Sequence, residues 1–280
     1  MAPTLEESAG RVRRVRDWPW AMRIGVAIVS CYLIVAVFAP LIAPYDPLRQ
    51  NIPNLLASPS WGHVLGTDRL GRDVFSRLLY ASRYDLLLAV SGTLLSLLLG
   101  AFLGLVAGYF RGVVDIVVSR IVDLLLTIPI YPLLVLLLFT LGSGAASVIT
   151  AFAVTGWVSY ARLARSQVLV TREQDFVAAA KLGGLGNARV MAKHVLPNIT
   201  AQLLVLWASD IVMAIGTIAA LGYLGIGIQP PTPEWGVMVQ DGQDFLLTNW
   251  WLSVAPGLII VVLGIGLALI SDGVVGRRRR

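Results

Sequence analysis

Apolar residues along this chain gather into long runs, broken by short polar or charged stretches. A helix needs about 20 apolar residues to cross a hydrocarbon core of about 30 Å, and this length divides the sequence readily. The first run is Ala21–Ile42, which follows Arg11, Arg13, Arg14 and Arg16. It is longer than the apolar part of a cleaved leader, and Pro40 and Pro44 follow its small residues, so it reads as an uncleaved anchor. The second is Leu86–Tyr109. In the third, Asp115, Arg120 and Asp123 recur before the chain turns wholly apolar from Leu124 to Leu141. Charges facing lipid are costly, so the first turns of that helix are expected at an interface or against protein, and Pro129 and Pro132 are expected to kink it. Ala145–Ala161, Ile199–Ile228 and Trp250–Ile270 complete six runs, the last opening on two tryptophans suited to an aromatic belt.

The expected fold class is an all-α polytopic membrane protein with about six transmembrane helices. The parts are a tail (1–20), the anchor helix (21–42), an external loop (43–85), a five-helix core (86–271) and a basic tail (272–280). Within the core lies a cytoplasmic loop, 162–197. Most of the 22 Lys and Arg fall on the side of the amino terminus, which places both termini in the cytoplasm. The long first loop is the exception, and there Asp46, Asp68, Asp73 and Asp85 balance the arginines.

Composition agrees with this partition. The chain of 280 residues is 57% hydrophobic and 14% charged, well below the roughly 25% charge of soluble domains, and its mean hydropathy is +0.78. The net charge of +6 is spread over clusters between apolar runs, so it speaks for a lipid bilayer and not for nucleic acid. Cys31 is the single cysteine and excludes an intrachain disulfide. No Gly-Lys dipeptide exists, so the phosphate-cradling loop of P-loop ATPases is missing. Two histidines, His63 and His194, lie on opposite sides and make no metal site. Intramembrane carboxylates are few, with Asp210 the clearest, which weighs against a proton-coupled carrier. Asp210 has three open roles: pairing with a neighbour, facing a partner, or lining a path.

The cytoplasmic loop carries the strongest local signal. Asp175 to Leu182 reads as a short helix with small residues at Ala178, Ala179 and Ala180, stopped by Gly183, Gly184 and Gly186. A second short helix should follow, with Pro197 opening the next span. A projecting helix with a small-residue face suits docking in a groove of a partner. These residues resemble the signature of binding-protein-dependent ABC importer permeases, Glu-Ala-Ala-x3-Gly-x9-Ile-x-Leu-Pro. Ala178-Ala179-Ala180, Gly184, His194 and Leu196-Pro197 take its places, with Ala178 standing for the Glu and His194 for the Ile. Asp175 and Glu173 are the carboxylates near the missing Glu. Leu65 to Arg77 and Gly225 to Gly236 likewise resemble segments of the C-type subunits of the dipeptide, oligopeptide and nickel branch.

The resemblance implies a type I importer permease in a prokaryotic plasma membrane. It would line a path with a sister permease, receive substrate from an external binding protein and bind no cofactor itself. ATP and Mg would act on two cytoplasmic ATPases, docked on a coupling loop of Asp175, Ala178, Ala179, Ala180, Lys181, Leu182, Gly184, His194, Leu196 and Pro197. The implied cargo is a di- or oligopeptide, with a nickel complex as the alternative. An ATP-independent carrier, a membrane enzyme and a scaffold without a path are the rival classes. Outside, Asp68, Arg69, Arg72 and Asp73 read first as a tight turn with a local ion-pair set, and Asp73 as the cap of a helix starting at Val74. Asp68 and Arg72, with Asp210 and Trp235, are second candidates for the pathway or external gate. Pro230, Pro231 and Pro233 are expected to run extended, and Trp235 to sit at the outer interface.

Overall fold

The computed structural model describes residues 20–278, with side chains as far as 270. The tail bearing Arg11, Arg13, Arg14 and Arg16, and the side chains of 271–280 with Arg277–Arg280, lie outside the described residues. The elements are α1 (Trp20–Ile42), α2 (Val74–Phe110), α3 (Gly112–Thr127), α4 (Ile130–Leu141), α5 (Ala145–Thr171), α6 (Asp175–Leu182), α7 (Asn187–Val190), α8 (Leu196–Tyr223), α9 (Trp235–Gln243) and α10 (Trp251–Arg278). Among the described residues no strand forms.

Four stretches are long and apolar enough to cross a membrane: α1, α2, the rod Asn187–Tyr223 and α10. The pair α3 and α4 is a fifth, bent by 95°. The sequence leads one to expect a kink there, and the chain breaks outright. Ile128 is extended (φ −93°, ψ 124°), as a residue before proline prefers, and Pro129 offers no N–H to continue the ladder. Pro132 falls in the first turn of α4, where it costs little. A sixth crossing would have to be α5, which is 27 residues long but less apolar.

Two boundaries differ from the sequence expectation. Helix α2 starts at Val74, not near Leu86, because its first turns hold Ser76, Arg77, Ser82 and Asp85, polar residues that are buried here. No break precedes Pro197 either. One π turn, Met191–Val195, joins α7 to α8, so the missing proline N–H is absorbed within a continuous rod.

Helix α2 is the central strut, and α5 packs along it in parallel. The seam consists of small residues spaced by four: Gly92, Ser96, Gly100, Gly104 and Gly108. A Cβ on Gly100 would lie 2.3 Å from the Trp157 carbonyl, and one on Gly104 2.4 Å from that of Ala161. The backbones are thus in contact, the arrangement by which small residues hold helices together in lipid. Ser96 Oγ donates to the Phe152 carbonyl across the seam at 2.8 Å. Trp207 Nε1 donates to Thr93 Oγ1 at 3.0 Å and ties α8 to the same strut. On the far side α1 lies on α10, where Gly25 meets the Gly266 carbonyl. Cys31 is exposed on α1.

Candidate functional site

Helix α2 joins two polar assemblies, one at each end of the bundle. At its carboxyl end, α6 is seated on the bundle by apolar plugs. Val177, Val190 and Val195 are fully buried in one cluster with Leu105, Tyr109, Ala164 and Val168. Glu173 takes ion pairs from Arg111 at 3.0 Å and Arg172 at 3.1 Å. Tyr109 is the hub: its hydroxyl donates to Asn187 Oδ1 at 3.0 Å, its carbonyl accepts from Arg172, and the Lys181 ammonium lies 4.9 Å above its ring. Each contact ties α2 to a different part of the loop. Replacing Tyr109 with Phe removes only the hydroxyl bond, worth about 1 kcal/mol. Hydrogen exchange in 183–190 should quicken several-fold, while α6 keeps its seat.

With one side anchored, α6 presents the other. Asp175, Phe176, Ala178, Ala179, Lys181 and Leu182 are all exposed, and Ala180 is half-buried. Gly184 closes the helix for a definite reason. It has φ +80°, its N–H bonds to the Lys181 carbonyl, and the N–H of Leu185 reaches back to Ala180. This pair of bonds is the Schellman stop, which favours glycine at the left-handed residue. The remaining loop residues lie further along: His194 half-buried in the π turn, with its carbonyl bonded by Asn198, Leu196 half-buried, and Pro197 exposed. Of the two carboxylates near Ala178, Glu173 is engaged with its arginines, while Asp175 stands in the first turn of α6 and shows no ion pair among the described residues.

The other end of α2 meets α9. Asp73 caps α2, accepting from the Ser76 N–H at 2.8 Å, and pairs with His63 at 2.9 Å. Asp68 binds Arg72 at 2.7 Å and Arg77 at 3.5 Å, while Asp241 of α9 takes Arg69 at 2.8 Å and Arg72 at 3.8 Å. Arg72 and Asp68 are buried, so these charges fasten the 43–73 loop to α9 in the manner of a rivet. The proline segment turns, with a cis Pro230–Pro231 bond, instead of running extended. Trp235 is not interfacial: it is fully buried, with its Nε1 3.4 Å from the Leu78 carbonyl and its ring edge-on to Tyr32. Asp210 is half-buried on α8 beside Tyr160 of α5.

Comparison with known proteins gives this architecture a family. Residues 100–280 match the family described as "binding-protein-dependent transport system inner membrane component". The chain belongs to the binding-protein-dependent ABC importer permeases. Residues 12–59 of this permease also match the "N-terminal TM domain of oligopeptide transport permease C". It is 41% identical over 256 residues to the dipeptide transport system permease protein DppC of Escherichia coli (strain K12), covering 89% of this chain and 85% of that one. A di/tripeptide transport system permease protein DppC of Pseudomonas aeruginosa (strain UCBPP-PA14) is 38% identical over 255 residues, covering 89% and 84%. The nickel transport system permease protein NikC of Escherichia coli (strain K12) is 36% identical over 253 residues, covering 90% and 91%. The permease is therefore a multi-pass plasma-membrane subunit of a transporter and not itself an enzyme.

Sequence reasoning overlooked three groups: the Gly92–Gly108 seam, the Tyr109 hub, and the carboxylates Asp85 and Glu234. Only the seam announced itself, through its spacing of four.

Proposed function

We propose that this permease forms half of an ATP-driven import path for di- or oligopeptides, together with a sister permease. In this reading the α6 end is cytoplasmic and the face of Ala178, Ala179 and Leu182 sits in a groove of an ATPase subunit. An external binding protein delivers the peptide at the α9 end. Six crossings with both termini inside give that orientation. The observation that carries the reading is the mounting of α6: one side locked to α2 and α5, the other bare. A loose loop would absorb a partner's movement, whereas a helix pinned by buried Val177, in a loop that Val190 and Val195 anchor further along, passes it on to α2 as a rigid body. Nucleotide binding then biases two states of the permease by its different affinity for them. Asp175 supplies the carboxylate that Ala178 lacks. Likeness to the dipeptide permeases favours peptide over nickel.

The test is uptake of labelled dipeptide into vesicles holding this chain, its sister, the ATPases and the binding protein. Uptake should fall at least tenfold without hydrolysable ATP. Uptake of nickel and not of peptide would move the assignment to the other branch. Transport by this chain alone on an ion gradient would overturn the mechanism.

A further inference from the structure

Two carboxylates are buried side by side at the α9 end with no counter-ion. Asp85 of α2 is 1% exposed and Glu234 0%. Both cap the same helix terminus: the Trp235 N–H donates to Asp85 Oδ2 at 3.1 Å, and the Gly236 and Val237 N–H groups donate to Glu234 Oε1 and Oε2 at 2.7 and 2.8 Å. The arginines of the neighbourhood face other groups, with Arg77 Nη2 left buried and unpartnered. Arg72 and Arg69 face Asp68 and Asp241, and Arg77 reaches Asp68 and the carbonyls of Pro47 and Pro231. Tyr32 of α1 meets the Trp235 ring, while α8 presents Gly222 directly against Glu234, with Ile218 and Leu221 beside it. Among the described residues, neither carboxylate has an ion pair.

A helix amino terminus offers roughly half a positive charge, so three N–H groups suit one carboxylate anion and not two in an apolar wall. The hydrogen bonds distinguish the pair. Both oxygens of Glu234 are held by N–H donors, which marks it as the anion. Asp85 has one oxygen, Oδ1, that is buried and unpartnered, and this is the natural seat of a hydrogen. We propose that Asp85 and Glu234 form a proton-binding site that holds one shared proton, carried on Asp85 Oδ1, in the conformation where α9 is closed onto α2.

The proton makes closure of the α9 end sensitive to pH. Burial raises the proton affinity of Glu234, and repulsion between the two carboxylates makes the site titrate as a unit. The sign follows from linkage. The closed form binds a proton more tightly than a hydrated, open one, whose carboxylates titrate near 4. Closure is therefore firmest in acid and weakens as pH rises above about 4, by up to tenfold per unit for a single proton.

The test is hydrogen exchange of the α9 segment in the assembled transporter, between pH 5 and pH 8, corrected for the intrinsic exchange rate. Wild type should lose at least tenfold protection across that range. Asp85→Asn, which keeps the shape without the Asp85 proton, should lose clearly less protection than wild type across the range. Glu234→Gln, which cannot accept both N–H bonds, should be weakly protected throughout. A flat wild-type profile would overturn the proposal, as would a profile that Asp85→Asn leaves unchanged. Sodium or calcium restoring protection to wild type at pH 8 would assign the site to a cation instead. If Asp85→Asn does not assemble, the wild-type profile and the salt titration decide alone.

Discussion

Valine at position 184 is expected to separate ATP hydrolysis from peptide uptake. The backbone of Gly184 has φ +80°, a conformation that costs an L-residue about 1–2 kcal/mol and a β-branched one more. Space is not the obstacle, since a Cβ there would meet nothing within 4 Å. The strain must be relieved by opening the turn after α6, and each 1.4 kcal/mol lowers the population of the seated loop about tenfold. In the proposed importer hydrolysis belongs to the partner ATPases, so it should persist while uptake per ATP falls by about tenfold or more. A graded series sharpens the prediction. Asparagine tolerates the left-handed region and should lose least, alanine should be intermediate and valine worst. Gly183→Ala is the control, because Gly183 has φ −71° and only ordinary contacts at 3.4 Å. Equal coupling in Gly184→Val and wild type would show that the turn does not set the lever.

The second large effect is on folding. At Gly100 an added Cβ meets the Trp157 carbonyl at 2.3 Å and Tyr160 Cβ at 2.6 Å. Neither neighbour is the free end of a flexible side chain, so α2 and α5 must move apart along their length. Overpacking usually costs about 1–3 kcal/mol, and valine here should exceed that range, because parting the helices also gives up the contacts at Gly92, Gly104 and Gly108. Gly100→Val is expected to be nearly absent from membranes and, where recovered, to melt well below wild type in detergent. Gly216→Ala, with open space around its Cβ, should stay within about 0.5 kcal/mol. Normal levels and melting of Gly100→Val would mean that the seam is not the core of the fold.

These two glycines mark the boundary between what the sequence makes legible and what it hides. Gly184 could be read because a turn after a helix is a local event, and Asp73 could be read as a cap for the same reason. Apolar runs located the elements well, since hydrocarbon thickness imposes their length. Helix starts were harder: the opening of α2 looks like loop because its Arg77 is buried against Asp68 of the preceding loop and its Asp85 against the start of α9. Trp235 shows the same limit, since a tryptophan after prolines looks interfacial until α1 and α2 are packed around it. Asp85 and Glu234 lie far apart in sequence, and only α9 brings them to one helix end. The seam residues were visible all along as a spacing of four, but the spacing says nothing of which helix answers it.

The modest apolarity of α5 has a consequence for how the chain is made. A segment carrying Arg162, Arg165 and several hydroxyls partitions poorly into lipid on its own, yet in the finished bundle its backbone rests on the glycines of α2. Helix α2 is synthesised first and is apolar enough to enter the bilayer alone. The emerging α5 is then expected to meet it at the insertion machinery. The seam would thus serve as a recognition surface during biogenesis as well as a contact in the mature protein. A defect there would strand α5 at the point of insertion, and the quality-control proteases of the membrane would meet the chain half-built.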